Sequence, residues 1–260
     1  MIYVVLGVGF SGTTLVSELL HHCGIRMIDD DNDSYDGGGK YEHPNFQRIN
    51  RDILQLPDWR VKHLRPSDCP SHVTHDQQHS MRMLIQRQED RYDDWGFKDP
   101  RTVVTYPLWR SLLPRHRIIA VFRDPAGNWK RHRWRGLRRR YVNAWRAYQH
   151  LRQWWEYNTA ILEYAGESAN DFLLLNYEQL MSDDNELTRL SRFIGRPVAD
   201  RREPSLFRTR TKPDVVFRAT RWAMNTGSVY RIDALWNSLM SARVACAVES
   251  QGAHDVPGAG

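Results

Sequence analysis

The chain has 260 residues, 41% of them hydrophobic and 26% charged, which is enough apolar material for one sizeable core. The formal net charge of +6 favours an anionic ligand, an anionic acceptor or nucleic acid as a partner. The three cysteines are odd in number and widely spaced, so we predict a reduced, cytoplasmic protein without a disulfide framework or a zinc site. No basic leader precedes the first apolar run, and no apolar run is long enough to span a membrane, so we predict neither a signal peptide nor a membrane anchor.

Predicted strands alternate with predicted helices along most of the chain. In chain order the patterns predict a strand at 2–7, helices at 12–23, 44–55 and 77–94, a strand at 96–98, a helix at 102–113, a strand at 117–122, helices at 126–139 and 141–165, a strand at 172–175, and helices at 184–193 and 232–247. Strands separated by helices predict an α/β fold, in which a parallel β-sheet is flanked by helices. We predict a single domain over residues 1–250 and a disordered tail at 251–260.

A glycine loop, Gly7 to Thr14, joins the first predicted strand to the first predicted helix. Backbone N–H groups at such a helix start point at an anion, and the helix dipole favours negative charge. The spacing matches a nucleotide-binding loop, but Thr13 stands where ATP and GTP enzymes carry a lysine, which weighs against a kinase or GTPase. The residues that we predict to bind the anion are Gly9, Phe10, Ser11, Gly12, Thr13 and Thr14.

Five segments between residues 1 and 200 carry motifs in the order found in one enzyme family. They are Ser11 to Leu15, Trp95 to Arg101 with a Lys-Asp-Pro-Arg motif, Ile118 to Pro125 with a strand-end Arg123, Phe172 to Leu180 with a Tyr-Glu-x-Leu motif, and Arg192 to Pro197 at a helix end. With these motifs the chain resembles the sulfotransferase superfamily, and its Lys-Asp-Pro-Arg segment is similar to that of bacterial and carbohydrate-directed members. The resemblance implies a P-loop-NTPase-like sulfotransferase fold.

The resemblance also implies a reaction and a cofactor. Members transfer a sulfuryl group from 3′-phosphoadenylyl sulfate (PAPS), leaving adenosine 3′,5′-bisphosphate (PAP), and need no metal. It implies that the glycine loop holds the 5′-phosphate and that Arg123 holds the 3′-phosphate. Many members have a serine eight residues after that arginine, and Arg131 stands there in this chain, where its guanidinium can also bind phosphate. The implied acceptor is a hydroxyl group, with carbohydrates among the candidates, or an amine.

The catalytic groups are less clear, because the chain departs from the family pattern. Phe10 replaces the basic residue that often precedes the loop serine. Small-molecule members carry a catalytic histidine two residues after a strand lysine, but here Lys98 is followed by Asp99 and Pro100. Lys98 is our first choice for the cation that neutralises the leaving oxygen; the alternative is a surface salt bridge with Asp99. Glu42 and Asp99 are candidate bases. The alternatives are a polar helix start for Glu42 and a pair with Arg101 for Asp99.

Two further patterns lie in the predicted helices at 126–139 and 141–165. Residues 130–140 contain seven Lys or Arg in eleven positions, which suits either an anionic acceptor groove or a solvated helix face. Nucleic-acid binding is not predicted, because the run lies inside a predicted helix and no nucleic-acid motif accompanies it. Aromatic and apolar residues at helical spacing predict a core stripe rather than a sugar-stacking platform: Tyr141, Trp145, Tyr148, Leu151 and Trp155.

Three other functions remain open at this point. They are a P-loop nucleotide or small-molecule kinase, a non-catalytic nucleotide-binding module and, on the basic run alone, a nucleic-acid-binding protein. The sequence predicts a small-molecule or carbohydrate acceptor as partner without identifying it, and it makes no prediction of the oligomeric state.

Overall fold

The computed structural model of the chain describes residues 1–29, 40–56, 64–133, 140–167, 171–203, 213–227 and 229–252. Four parallel strands form one sheet in the order β2-β1-β3-β4: β1 (Ile2–Gly7), β2 (Trp95–Lys98), β3 (His116–Phe122) and β4 (Phe172–Asn176). The helices of these ranges are α1 (Thr13–His22), α2 (Pro44–Ile53), α3 (His75–Glu89), α4 (Thr102–Arg110), α5 (Trp129–His132), α6 (Arg140–Glu167), α7 (Tyr177–Ser182), α8 (Asp184–Ile194), α9 (Val215–Gly227) and α10 (Ile232–Gly252).

Alternation along the strands divides the buried side chains between two faces of the sheet. Val4 and Leu6 of β1 face one hydrophobic cluster, which α2, α3, α4, α6, α9 and α10 complete. Tyr3 and Val5 face the other cluster, to which α1, α7 and α8 contribute. Both faces are therefore covered by helices, as expected for parallel strands that read as continuous apolar runs. The predicted parallel sheet flanked by helices is confirmed.

The strand register brings the carboxyl ends of the strands together. Val5 of β1 pairs with Lys98, the last residue of β2. Gly7, the last residue of β1, pairs with Val121 of β3. Phe122 pairs with Asn176, so the residues that follow β3 and β4 emerge side by side. This edge of the sheet is where ligands of open parallel sheets bind.

The structure differs from the predicted elements in the second half of the chain. A helix over 126–139 is wrong: a 3₁₀ turn at Pro125–Asn128 leads into the short α5, and Arg133 is already extended. The turn forms because the Asp124 carboxylate accepts from the Ala126 amide at 2.9 Å. Residues 134–139, the centre of the basic run, lie outside the described residues. Helix α9 was not predicted, and α10 continues to Gly252, two residues into the predicted tail.

The predicted core stripe on α6 is wrong for Tyr141 and Trp145, whereas Tyr148 and Trp155 pack against the hydrophobic cluster that contains Leu151. Leu151 is fully buried, whereas Tyr141 and Trp145 are 92% and 62% exposed, and Tyr148 and Trp155 are half-buried. The buried face of α6 instead carries residues such as Trp154, Tyr157 and Ile161. Within the described residues, no helix is both long enough and apolar enough to cross a membrane.

Thr74 and Gln77 form a capping box at the start of α3. The Gln77 amide donates to Thr74 Oγ1 at 3.2 Å, and the Thr74 amide donates to Gln77 Oε1 at 3.0 Å. We expect Thr74→Ala to lower the free energy of unfolding by about 1 kcal/mol, measured by urea denaturation. Thr188→Ala is the control, because its hydroxyl only donates to the Asp184 carbonyl within α8. Equal stability of the Thr74 variant and the wild type would contradict the role of the cap.

Candidate active site

The glycine loop between β1 and α1 forms a tight turn with uncapped helix amides at its end. The Ser11 amide donates to the Val8 carbonyl oxygen at 3.0 Å. Gly12 then adopts a left-handed φ of 105° as the N-cap of α1 and supplies no side-chain acceptor to the first helical amides. The Ser11 hydroxyl is buried and has no hydrogen-bond partner in the described part of the chain. An anion would accept from this hydroxyl and from the helix amides, so the loop residues fit a phosphate.

The Tyr177 ring connects the glycine loop to Arg123. A methyl group on Gly12 would lie 2.1 Å from Tyr177 Cδ2, so the ring lies directly against the loop. The Arg123 guanidinium carbon lies 4.5 Å from the centroid of the same ring, which is cation–π distance. The structure therefore brings together the two regions predicted to bind the two ends of the ligand.

Arg123, which lies over the Tyr177 ring, has one N–H donor without a described acceptor. Its Nε lies 3.4 Å from Glu178 Oε1, yet this buried nitrogen donates a hydrogen bond to no described residue. Burial raises the pKa of the Glu178 carboxyl group, and Arg123 opposes that shift. Burial likewise raises the pKa of the Tyr177 phenol. A buried guanidinium nitrogen without a hydrogen bond is suited to a phosphate oxygen.

The segment after β3 also packs on the glycine loop. The Asn128 amide nitrogen donates to the Gly9 carbonyl oxygen at 3.4 Å. The Arg131 guanidinium carbon lies 4.8 Å from the centroid of the Phe10 ring, and His132 meets that ring edge-on at 6.0 Å. Phe10 is 54% exposed and has a φ of 67°, a conformation that a bulky residue rarely adopts. The structure thus places Arg131 beside Phe10 at the loop.

Lys98 and Glu42 form a buried ion pair behind the loop. Lys98 Nζ lies 2.6 Å from Glu42 Oε1 and donates to Thr14 Oγ1 at 3.4 Å. Gln47 Nε2 donates to the second carboxylate oxygen of Glu42 at 2.5 Å. Burial lowers the pKa of the Lys98 ammonium group, and Glu42 opposes that shift. The alternative of a surface salt bridge between Lys98 and Asp99 is wrong, because Lys98 is buried and pairs with Glu42.

Asp99 occupies a separate buried network. Its Oδ1 pairs with Arg101 Nη1 at 2.8 Å, and its Oδ2 accepts from Asn50 Nδ2 at 3.0 Å. The side-chain oxygen of Asn50, Oδ1, in turn accepts from Thr105 Oγ1 and Trp109 Nε1. Burial raises the pKa of Asp99, and Arg101 opposes that shift. The structure therefore shows the Arg101 pair that the sequence left open as the alternative for Asp99.

Some residues of the site were not assigned a role from the sequence. Tyr177 was recognised only as part of a motif, and its contact with Gly12 depends on the register of β3 and β4. Asn128 and Gln47 were not singled out at all. Asn128 ends a Pro-Ala-Gly-Asn turn, and that turn signal was present in the sequence. Gln47 lies one helical turn into α2 and carried no signal.

Comparisons with known proteins gave one sequence match and several structural neighbours. The sequence profile of a family described as "Sulfotransferase family" matches residues 3–200. The chain is similar in structure to a "Sulfotransferase Domain from the Curacin Biosynthetic Pathway", with 14% identity, a TM-score of 0.48 and 98% of each chain covered. It is similar to a sulfotransferase domain from the Synechococcus PCC 7002 olefin synthase, with 16% identity, a TM-score of 0.48 and coverage of 98% of this chain and 95% of that one. No curated protein matches the chain.

Proposed function

Because this chain belongs to the sulfotransferase family, which matches most of its length, we propose that it transfers a sulfuryl group from PAPS to a hydroxyl or amine acceptor. The reaction would take place in a single domain that spans residues 1–250. A small molecule or a carbohydrate is the proposed acceptor. The basic character of the chain is consistent with an anionic donor.

The described residues fit the donor at two places. The amides from Ser11 to Thr14, with the unpaired Ser11 hydroxyl, would hold the 5′-phosphate. Arg123, with its unused Nε, would hold the 3′-phosphate, and Arg131 would add a second guanidinium. When bound, PAPS supplies the sulfuryl group and a phosphate leaving group. No metal ion is part of this proposal.

Lys98 and Glu42 are the proposed catalytic groups. Thr14 accepts from Lys98, so the ammonium group lies at the helix end that would hold the 5′-phosphate. A fixed cation there would neutralise charge on the leaving oxygen, and it would need no reorganisation during the reaction. Glu42 holds Lys98 in place and is the candidate base for the acceptor proton. Asp99 is not proposed as a base, since its carboxylate lies in the separate network with Arg101 and Asn50, whereas Glu42 contacts the ammonium group that lies at Thr14.

The observation that carries the proposal is the contact of the Tyr177 ring with both the glycine loop and Arg123. A ligand bound at both places must carry two anionic groups. PAPS and PAP have phosphates on both the 3′ and the 5′ positions, whereas ATP has none on the 3′ position. Two separate anion sites are consistent with a bisphosphate, and Thr13 in place of the lysine of ATP enzymes favours a sulfotransferase over a kinase.

The test is calorimetric titration with PAP and with ATP. We expect PAP to bind more tightly, and we expect Arg123→Ala to weaken PAP binding by about 2 kcal/mol, or about 30-fold, because a charged hydrogen bond is lost. Arg110→Ala is the matched control, since Arg110 is half-exposed and pairs with Glu167 away from the loop. Preference for ATP, or unchanged PAP affinity in the Arg123 variant, would refute the proposed donor site.

A further inference from the structure

Phe10 combines two unfavourable features in the glycine loop. Its side chain is 54% exposed, and its φ of 67° lies in the left-handed region that bulky residues rarely adopt. The exposed ring leaves apolar surface in water, and the backbone conformation is strained. A glycine at this position would avoid both costs, yet the chain carries a large aromatic side chain there. An exposed and strained aromatic residue of this kind points to a role for the ring itself.

The guanidinium group of Arg131 lies over the Phe10 ring. Its central carbon is 4.8 Å from the ring centroid, within cation–π distance. Arg131 is exposed, and within the described part of the chain no carboxylate forms an ion pair with it. Burial raises the pKa of the Tyr177 phenol, and both Arg123 and Arg131 oppose that shift. The two guanidinium groups therefore converge beside the glycine loop.

Asp214 fixes α5, the helix that carries Arg131. Its Oδ2 accepts from Trp129 Nε1 at 3.1 Å and from Arg133 Nη1 at 3.2 Å, and these two residues lie at the two ends of α5. Its Oδ1 accepts from the Phe217 amide at 3.0 Å, at the start of α9. The Trp129 side chain is buried, and its ring lies 5.3 Å from the Phe217 ring. Both ends of α5 are therefore bound to α9, and Arg131 lies between them.

We propose that Phe10 and Asp214 are positioning residues that together hold the Arg131 guanidinium group at the glycine loop. The inference rests on the proposed function, in which Arg131 binds the 3′-phosphate together with Arg123. Asp214 fixes the backbone of α5, and the Phe10 ring then restricts the Arg131 side chain to conformations beside the loop. Ordering this side chain before the ligand arrives lowers the entropic cost of binding. An aromatic ring also leaves the N–H donors of the guanidinium group available to a phosphate, whereas a carboxylate partner would occupy them.

Two other roles of the Phe10 ring lead to different expectations. A ring that stacked on the adenine of the donor would contribute equally to the binding of every adenine nucleotide. A ring that only packed against α5 would contribute to stability and not to the affinity for PAP. The proposed role instead requires that loss of the ring weakens ligands with a 3′-phosphate and leaves the affinity for other adenine nucleotides unchanged.

The test is calorimetric titration of the full chain with PAP and with adenosine 5′-monophosphate (AMP), which lacks the 3′-phosphate. Phe10→Leu keeps an apolar side chain but removes the π-face, and we expect it to weaken PAP binding about threefold and to leave AMP binding unchanged. Phe10→Tyr keeps the ring and should bind PAP as the wild type does. Phe193→Leu is the matched control, because the Arg117 guanidinium carbon lies 5.2 Å from the Phe193 ring centroid at the start of β3, the opposite edge of the sheet. Its PAP affinity should equal that of the wild type.

Asp214→Asn tests the second positioning contact with the same two ligands. Asparagine is also a good N-cap, so the start of α9 should be preserved, while the carboxylate oxygen that Trp129 and Arg133 share is lost. We expect PAP affinity to fall about tenfold and AMP affinity to stay unchanged. In an Arg131→Ala background, neither Phe10→Leu nor Asp214→Asn should weaken PAP binding further, because both act through Arg131.

Any of three results would overturn the inference: wild-type PAP affinity in both Phe10→Leu and Asp214→Asn, an equal loss of PAP and AMP affinity, or effects that persist in the Arg131→Ala background. If Arg123→Ala weakens PAP binding in the same series, the proposed donor site stands and only this inference fails. A wild-type chain that prefers ATP to PAP overturns the proposed function, and this inference with it. Circular dichroism checks the folding of each variant, and Asp214→Asn keeps the inference testable if Phe10→Leu does not fold.

Discussion

Replacing Lys98 by methionine is expected to lower the free energy of unfolding by about 3–5 kcal/mol, because it leaves the Glu42 carboxylate buried without its cation. The side chain is 2% exposed and methionine has a similar length, so lost packing contributes little. Turnover should fall by about 100-fold or more, because the positioned charge at Thr14 is lost. Urea denaturation measures the first effect, and transfer of labelled sulfate from PAPS to an acceptor panel measures the second.

The double variant Lys98→Met with Glu42→Gln separates stability from catalysis. It should recover most of the lost stability, because no unpaired charge remains, and yet stay inactive with near-normal PAP affinity. Lys40→Met is the control for stability, since Lys40 is exposed. Normal turnover in the double variant would exclude both residues from catalysis. Wild-type stability in the single variant would contradict the buried ion pair.

Replacing Gly12 by alanine is expected to lower the free energy of unfolding by about 3 kcal/mol, from two causes. At a φ of 105° a side chain is strained, and its Cβ would lie 2.1 Å from Tyr177 Cδ2. Relief of that overlap requires the ring to leave the loop, which would also move Arg123. We therefore expect PAP binding to be lost as well. Thermal or urea denaturation and calorimetry test the two parts.

Gly195→Ala is the matched control for the backbone effect alone. Gly195 has a φ of 75° at the end of α8, and a methyl group there would meet nothing within 4 Å. We expect a loss of about 1 kcal/mol and normal PAP affinity. If Gly12→Ala is no more destabilising than Gly195→Ala, the contact with Tyr177 is not as close as described.

The strands and the glycine loop were predictable because their signals are local. Continuous apolar runs at β1, β3 and β4 have few alternatives, and a glycine turn between a strand and a helix has a limited set of geometries. The predicted helix over 126–139 failed because basic residues have good helix propensity while the Asp124-Pro125 turn competes with it. Tyr141 and Trp145 of the predicted α6 stripe are exposed because helical spacing identifies a face without showing what covers it.

The positions of the glycine loop and of Arg123 were predictable from the sequence, because each follows the end of a strand. The partner of Lys98 was not predictable, since Glu42 reaches it from 56 positions away in the sequence. Glu42 was considered as a base and Asp99 as the partner of Lys98, and the structure pairs Lys98 with Glu42. Such pairings depend on how α2 packs against the sheet, which no local pattern encodes.

The Tyr177 ring has an energetic consequence for the two halves of the proposed donor site. Because one side chain contacts both Gly12 and Arg123, ordering the ring at either place also orders it at the other. Two fragments that occupy the two halves separately would then bind with positive cooperativity. The fragment that binds first would bear the entropic cost of ordering the Tyr177 ring, and the fragment that binds second would not. Tyr177 would in this way make the two anion sites a single thermodynamic unit.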